Sequence, residues 1–142
     1  MNNAAAIEGT NHDVSDQNQT IVHMDEGLIG FSQYRAFVFL ENEDILPFRL
    51  LESVQAPKLT FAVIEPTLLF PGYLELVPVR EWETIGLTDT AKRLAFVIAP
   101  IGETAKASTA NLQSPILVNY ETMTARQVIL TDSGLSARHP LG

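Results

Sequence analysis

Residues 109–131, TANLQSPILVNYETMTARQVILT, constrain the fold of this chain more than any other stretch. Within 110–120 the even positions are mostly apolar and the odd positions mostly polar, which is typical of a β-strand with one buried face. Polar residues at 121–124 predict a turn of about four residues, and the β-branched run at 126–130 predicts a second strand. We therefore predict a β-hairpin, with Pro115 at a bulge or a sheet edge because it has no N–H to donate.

Short apolar runs elsewhere in the chain predict further strands. They lie at 20–24, 35–40, 48–53, 59–64, 74–77 and 93–99. The length of 48–53 also fits one helical turn, but Pro47 and Pro57 on either side favour a strand. The best helix candidate is 81–87, where Gly86 is a suitable C-terminal cap. About eight short strands with one or two short helices predict a mainly β, antiparallel domain that is barrel-like or a sandwich.

The N-terminal segment differs in composition from the rest of the chain. Residues 1–18 are small and polar, and Ile7 and Val14 are their only branched aliphatic side chains. Such a segment buries too little apolar area to offset its conformational entropy. We therefore predict a disordered tail over 1–18 and a single β domain over 19–142, which is long enough for a substantial core.

Charge and composition limit the function classes. The chain has 17 acidic and 9 basic residues and a net charge of −8, so direct nucleic-acid binding is disfavoured because it requires clustered Lys and Arg. The acidity is compatible with a basic protein partner, although it can also serve solubility alone. The chain has no cysteine, no run of the ~18 apolar residues that a membrane span requires and no secretory signal pattern. These features predict a cytoplasmic protein without membrane contact.

No catalytic or metal-binding motif stands out in the sequence. A nucleophile elbow, a phosphate loop, a dinucleotide fingerprint and a zinc-protease motif are all missing. His12, His23 and His139 are far apart in the sequence, whereas a metal site needs three or four preorganised ligands. The acidic turn at 41–44 has no adjacent residue suited to be its acid–base partner. The sequence therefore predicts a protein that is not an enzyme and has no cofactor or metal.

An apolar loop and the acidic residues around it are candidates for partner binding. Residues 68–73, LLFPGY, would most commonly fold over one end of the domain as core. The alternative is an apolar anchor for a partner, with acidic residues as its polar rim. On that interpretation the candidate partner-binding residues are Glu41, Glu43, Asp44, Glu65, Phe70, Tyr73 and Glu75.

Several blocks of the chain, in order, resemble FliW, the bacterial flagellar assembly factor. The T-A-N-L-x-x-P-I run, the Asn shortly after it and R-Q-V-I-L at 126–130 are similar to the FliW signature. Residues 27–31, GLIGF, resemble its G-L-P-G-F element, with Ile29 where the family often has Pro. The pattern P-F-x-x-L-x-S…P-x-L-x-F-x-V-x-x-P over 47–66 and the ending R-H-P-L also resemble the family. The resemblance covers roughly 19–141.

The resemblance implies two protein partners. One is flagellin, which FliW proteins hold in the cytoplasm before export, and the other is CsrA, a small basic RNA-binding repressor of flagellin translation. FliW binding to CsrA relieves that repression, and rising flagellin titrates FliW away. The expected protein is a monomer that acts by protein binding alone. The alternative is a small-molecule-binding β-barrel or an unfamiliar enzyme, which would have an enclosed pocket with convergent polar groups. A binding module would instead have a filled core and an apolar patch outside.

Overall fold

This computed structural model describes residues 20–100, 108–131 and 133–141. The strands are β1 (Val22–His23), β2 (Ala36–Leu40), β3 (Arg49–Ser53), β4 (Thr60–Ile64), β5 (Leu94–Ile98), β6 (Thr109–Ala110), β7 (Ile116–Asn119), β8 (Thr124–Gln127) and β9 (His139–Pro140). The helix α1 spans Val79–Glu83, and 3-10 helices span Glu43–Ile45, Pro66–Leu68, Tyr73–Leu76 and Thr90–Lys92. The predicted tail over 1–18 lies outside the described residues.

Seven of these strands form a closed barrel in the order β1-β2-β3-β4-β5-β7-β8, and β6 pairs with β9 in a separate two-stranded sheet. The paired barrel strands run antiparallel, except that β1 meets β8 in parallel at His23 and Thr124. The prediction of a mainly β fold is confirmed, and of the two architectures considered the structure has the barrel.

The hairpin predicted within 109–131 is present as β7 and β8. Asn119 pairs with Thr124, so the loop is residues 120–123. The first part of the stretch, however, leaves the barrel, because β6 pairs with β9 instead. The break between β6 and β7 contains Pro115, whose carbonyl oxygen accepts a hydrogen bond from the N–H of Val128 at 3.0 Å. The proline thus marks an irregularity where the chain passes from one sheet to the other.

The predicted strand at 74–77 is wrong, because residues 74–76 belong to a 3-10 helix over Tyr73–Leu76 and Val77 is its C-cap. Tyr73 and Val77 are both buried. Glu75, midway between them, is exposed, whereas a strand would place all three side chains on the same face. The predicted helix at 81–87 begins earlier, at Val79, and ends at Glu83. Gly86 follows in the left-handed region at φ +78°, as expected for a residue just beyond a helix C-terminus.

The interior of the barrel is filled by apolar side chains that come from all of its strands. This barrel core consists of Val22, Met24, Leu28, Tyr34, Phe37, Leu51, Val63, Phe96, Ile116, Val118 and Ala125. Burying one large apolar side chain contributes about 1.5–3 kcal/mol. The barrel therefore has a packed core of the kind expected for a binding module.

A second cluster, the outer core, lies on the other side of the barrel wall. It consists of Ile64, Tyr73, Val77, Trp82, Leu87, Ala95, Val97, Ala99, Ala110, Leu112, Leu117, Val128 and Leu130. In β5, Phe96 belongs to the barrel core while Ala95 and Val97 belong to the outer core. All four residues of β7 are buried for the same reason. The prediction of a half-buried strand is therefore wrong for β7, because segments outside the barrel cover its second face.

The turn over 27–31 closes one side of the barrel core through the buried Leu28. Gly27 has φ +69°, and a Cβ there would lie 2.6 Å from the carbonyl oxygen of Ser32, so only glycine fits. The N–H of Ile29 donates to Oε1 of Gln127 at 2.8 Å. A proline at position 29 would lack this donor, so the departure from the FliW pattern gains a hydrogen bond to β8.

Candidate protein-binding surface

The acidic turn that follows β2 is exposed. The side chain of Asn42 accepts a hydrogen bond from the N–H of Asp44 at 2.8 Å and so caps the 3-10 helix over Glu43–Ile45. Glu43 and Asp44 are both exposed, and neither takes part in an ion pair among the residues described. Their carboxylates therefore project negative charge into solvent.

Arg49 brings together two of the predicted residues that are far apart in sequence. Its Nε lies 3.1 Å from Oε2 of Glu41, and its Nη1 lies 3.5 Å from Oε2 of Glu65. The side chains of Glu41 and Glu65 are 68% and 35% exposed, so each ion pair contributes only about 0–1 kcal/mol. The guanidinium also lies 5.5 Å from the ring centroid of Phe96. Two carboxylates around one guanidinium leave negative charge in excess.

A slot of about 440 Å³ opens beside this ion-pair cluster, and we call it the Arg49 slot. Its lining residues are Thr20, Val22, Phe39, Glu41, Arg49, Tyr120 and Met123. The Phe39 ring centroid lies 6.4 Å from that of Tyr120, which is 50% exposed. Partial burial raises the pKa of Tyr120; Arg49 opposes this shift and Glu65 and Glu41 add to it. The slot thus combines aromatic walls with a charged rim.

Tyr73 is not part of any surface, so its prediction as a partner-binding residue is corrected. It is fully buried in the outer core, and its hydroxyl donates to the carbonyl oxygen of Leu112. Burial raises the pKa of Tyr73 well above its usual value. Core packing, the more common outcome expected for the loop at 68–73, applies to this residue. A tyrosine with a reachable acceptor is often buried in this way, and no sequence pattern points to the Leu112 carbonyl as that acceptor.

Phe70 and Glu75 are exposed but do not line the Arg49 slot. Phe70 is 38% exposed, and its ring centroid lies 5.1 Å from that of His139 in β9. Glu75 is on the 3-10 helix over Tyr73–Leu76 and points into solvent. The seven predicted residues therefore do not form one cluster. Glu41 and Glu65 meet at Arg49, Glu43 and Asp44 follow Glu41 in sequence, and Phe70 and Glu75 lie in a separate segment.

A second groove, of about 590 Å³, surrounds Arg126 and was not predicted from the sequence. It is lined by His23, Asp25, Glu26, Thr84, Ile85, Gly86, Thr122, Thr124, Ala125 and Arg126. Nη1 of Arg126 lies 2.9 Å from Oε1 of Glu81 and 3.2 Å from Oγ1 of Thr84, while its Nε lies 3.6 Å from Oε1 of Glu26. Arg126 therefore ties β8 to α1 and to the segment after β1, which is a structural role.

Asn119, the asparagine of the FliW-like signature, joins the hairpin to the segment after α1. It is only 3% exposed. Its Nδ2 donates to the carbonyl oxygen of Ile85 at 2.7 Å, and its Oδ1 accepts from the N–H groups of Glu121 at 2.9 Å and Thr122 at 3.3 Å. Buried polar side chains need such partners. This signature residue therefore serves the fold.

Among residues 20–100, 108–131 and 133–141, no group of three His, Asp or Glu side chains is placed to hold a metal ion. His12 lies outside these residues. No helix in the described part of the chain is long and apolar enough to cross a membrane.

Comparison with known proteins agrees with the blocks quoted above. The FliW protein family model matches residues 8–141. The chain belongs to the FliW family. The flagellar assembly factor FliW of Bdellovibrio bacteriovorus is 36% identical over 125 residues, which cover 88% of this chain and 71% of that protein. The FliW of Geobacillus thermodenitrificans is 34% identical over 129 residues, covering 91% and 89%. The resemblance to FliW predicted from the sequence is confirmed.

The fold agrees with a solved FliW structure. A crystal structure of the flagellar assembly factor FliW superposes with a TM-score of 0.76 at 35% identity, covering 85% of this chain and 84% of the other. FliW relatives are thus similar to this chain in sequence and in the barrel that its strands form.

Proposed function

We propose that this FliW-family protein is a cytoplasmic flagellar assembly factor. It binds flagellin before export and binds the RNA-binding regulator CsrA, and the second contact relieves the repression of flagellin translation. The flagellar assembly factors that it resembles over most of its length support the first part of this proposal. It acts as a monomer and needs no cofactor.

One observation carries the mode of action. The barrel core fills the interior with apolar side chains, while exposed carboxylates gather beside the Arg49 slot on the outer surface. A ligand-binding barrel needs an enclosed pocket with convergent polar groups, whereas a protein-binding module works through its outer surface. This arrangement favours protein binding over the small-molecule or enzymatic alternative.

Charge supplies the physical basis for antagonism of an RNA-binding partner. The chain has a net charge of −8. When an acidic protein binds a basic RNA-binding protein, its negative charge raises the electrostatic cost of bringing RNA phosphates to the basic surface. Such repulsion is screened over a Debye length of about 8 Å at physiological ionic strength. The effect on RNA release therefore weakens as salt is added.

The test reverses charge at the acidic turn and compares it with an equal reversal elsewhere. The variant Glu41→Lys/Glu43→Lys/Asp44→Lys is expected to weaken CsrA binding at least tenfold, because close charge pairs across an interface have large coupling energies. The matched control, Asp25→Lys/Glu83→Lys/Asp89→Lys, changes the net charge equally at other exposed positions. Binding is measured by isothermal titration calorimetry and RNA release by a competition assay.

Two results would contradict the proposal in different ways. If the wild-type protein binds neither CsrA nor flagellin, the proposed function is wrong. If both triple variants bind CsrA like the wild type and release RNA equally well, the function stands and the acidic turn is not the contact surface.

A further inference from the structure

The Arg49 slot has a floor that continues into the barrel core. Val22 belongs to that core, and Phe39 and Met123 pack against it. The Phe39 ring also lies 4.9 Å, centroid to centroid, from the buried ring of Phe96. An apolar side chain that enters the slot therefore contacts apolar side chains that are already held in place by the barrel core. Contacts of this kind exclude water and dominate the energetics of protein interfaces.

Tyr120 forms an exposed wall of this slot. It belongs to the loop between β7 and β8, and half of its surface remains accessible. A tyrosine offers a large contact area with few rotatable bonds, which makes it a common interface anchor. In the 110–120 alternation it occupies an apolar position, yet it is not part of either core cluster. Its ring is thus available to a partner.

The rim of the slot favours a cationic occupant. Arg49 is shared between Glu41 and Glu65, so an anionic group would have to compete with two carboxylates for it. Glu43 and Asp44 add exposed negative charge in the adjoining turn. A second copy of this acidic chain would bring like charge to the same place, which is unfavourable. Charge complementarity therefore selects a basic polypeptide.

We propose that the Arg49 slot receives an apolar side chain of a basic partner protein, together with a neighbouring Lys or Arg that binds Glu41. The apolar side chain packs on Phe39 and Tyr120, and the cation joins the ion-pair cluster at the rim. This inference rests on the proposed function, and it assigns the slot to CsrA in preference to flagellin.

The first experiment measures CsrA binding to variants of the slot by isothermal titration calorimetry. Tyr120→Ala is expected to weaken binding about tenfold or more, as for a central interface aromatic, and Tyr120→Phe recovers most of the affinity because the ring is restored. The control Ile129→Ala removes an apolar side chain that is exposed at another place, and it is expected to bind CsrA like the wild type. Thermal unfolding by circular dichroism verifies that each variant is folded.

A second experiment identifies the cation on the partner. Each Lys and Arg of CsrA is changed to Gln, and the affinity of each variant is measured against the wild type and against Glu41→Gln. A double-mutant cycle isolates the interaction between two residues. At one CsrA position the losses are expected to be non-additive, because either substitution alone already breaks the ion pair.

Each remaining outcome decides against part of the proposal. If the wild-type protein binds CsrA, and Tyr120→Ala and Glu41→Gln bind it equally well, the inference is wrong while the proposed function stands. If the wild type does not bind CsrA, the proposed function fails first. If Tyr120→Ala loses flagellin binding and keeps CsrA binding, flagellin is the occupant. Self-association that Tyr120→Ala abolishes in sedimentation velocity would make a second copy the occupant.

Discussion

Asn119 and Arg49 each join separate segments of the chain, but they differ in burial. Asn119 is nearly inaccessible; one of its three hydrogen bonds connects the β7–β8 hairpin to the segment after α1, and the other two hold the loop of the hairpin itself. Arg49 holds two carboxylates that remain in contact with water. A buried polar group left without partners costs about 1–3 kcal/mol, whereas an exposed ion pair contributes about 0–1 kcal/mol. The buried junction at Asn119 therefore stabilises the fold, whereas the exposed junction at Arg49 leaves its carboxylates accessible to a partner.

This difference explains what the resemblance to FliW could reveal. Asn119 is one of the signature residues, while Arg49 and Glu65 fall at unspecified positions of the block over 47–66. Many of the recognisable positions, such as Asn119, Leu112 and Ile116, are buried and make contacts that the fold requires. The exposed positions around the Arg49 slot carry no motif, although they carry the charge that the proposed partner would meet.

The largest loss of stability is expected at Asn119, the buried junction. Asn119→Ala leaves the carbonyl oxygen of Ile85 and two loop N–H groups without their side-chain partner, so we expect a loss of about 2–3 kcal/mol in the free energy of unfolding. The control is Asn111→Ala, whose side chain accepts one hydrogen bond among the described residues, from the N–H of Gln113 at a partly exposed site, and its loss should cost under about 1 kcal/mol. Urea unfolding followed by the fluorescence of Trp82 measures both. Equal losses in the two variants would remove the special role of Asn119.

A smaller change in stability, which depends on pH, is expected at Tyr73. Burial raises its pKa in the folded state, while the unfolded chain keeps a value of about 10. Below about pH 10 both states are protonated, so the stabilisation is fully present. Above that pH the unfolded state loses its proton first, and stability falls by about 1.4 kcal/mol per pH unit until the folded-state pKa is reached.

Tyr73→Phe tests this assignment. At neutral pH it removes the hydrogen bond to the Leu112 carbonyl oxygen and should cost about 1 kcal/mol. Between pH 10 and 11, about the range in which a free tyrosine ionises, its stability should fall less steeply than that of the wild type. Tyr120→Phe is the comparison: the pKa of Tyr120 is also raised, but half of its surface is exposed, so this variant should flatten the slope less than Tyr73→Phe. If the wild type and Tyr73→Phe show the same slope of stability against pH, Tyr73 does not control the alkaline limit.

The class of fold could be predicted from local pattern, but the two-layer burial could not. Alternation, prolines and turn residues were sufficient to predict the hairpin and a mainly β domain. β7 looked half-buried because Asn119 and its polar neighbours suggest a solvent face, whereas Leu117 and Asn119 in fact face the outer core and the segment after α1. Which segment covers a strand depends on long-range packing, and a period-two pattern contains no information about that packing.

The candidate site could be predicted only in part for a related reason. The acidic residues Glu41 and Glu65 could be identified from the sequence. The arginine that joins them could not, because Arg49 lies in a predicted strand and nothing in that pattern indicates a role in binding. An apolar loop can be an anchor or core, so the sequence leaves Tyr73 among the anchor candidates, whereas its burial and its hydrogen bond to Leu112 show that it is core. The alternation over 110–120 places Tyr120 on a buried face, although it is half exposed. Composition identifies charges, whereas the tertiary fold determines which of them meet.

The smallest effect on stability is expected at the Arg49 slot. Glu41→Gln breaks one of the two ion pairs of Arg49 at a side chain that is 68% exposed, and the pair with Glu65 remains, so the free energy of unfolding should change by less than about 1 kcal/mol. Glu43→Gln is the matched control, since it removes the same charge at an exposed position of the same turn. Both are measured by urea unfolding at low and at high salt. A loss above about 2 kcal/mol for Glu41→Gln alone would make the slot a folding element like Asn119, and the distinction between a buried junction for folding and an exposed one for binding would then fail.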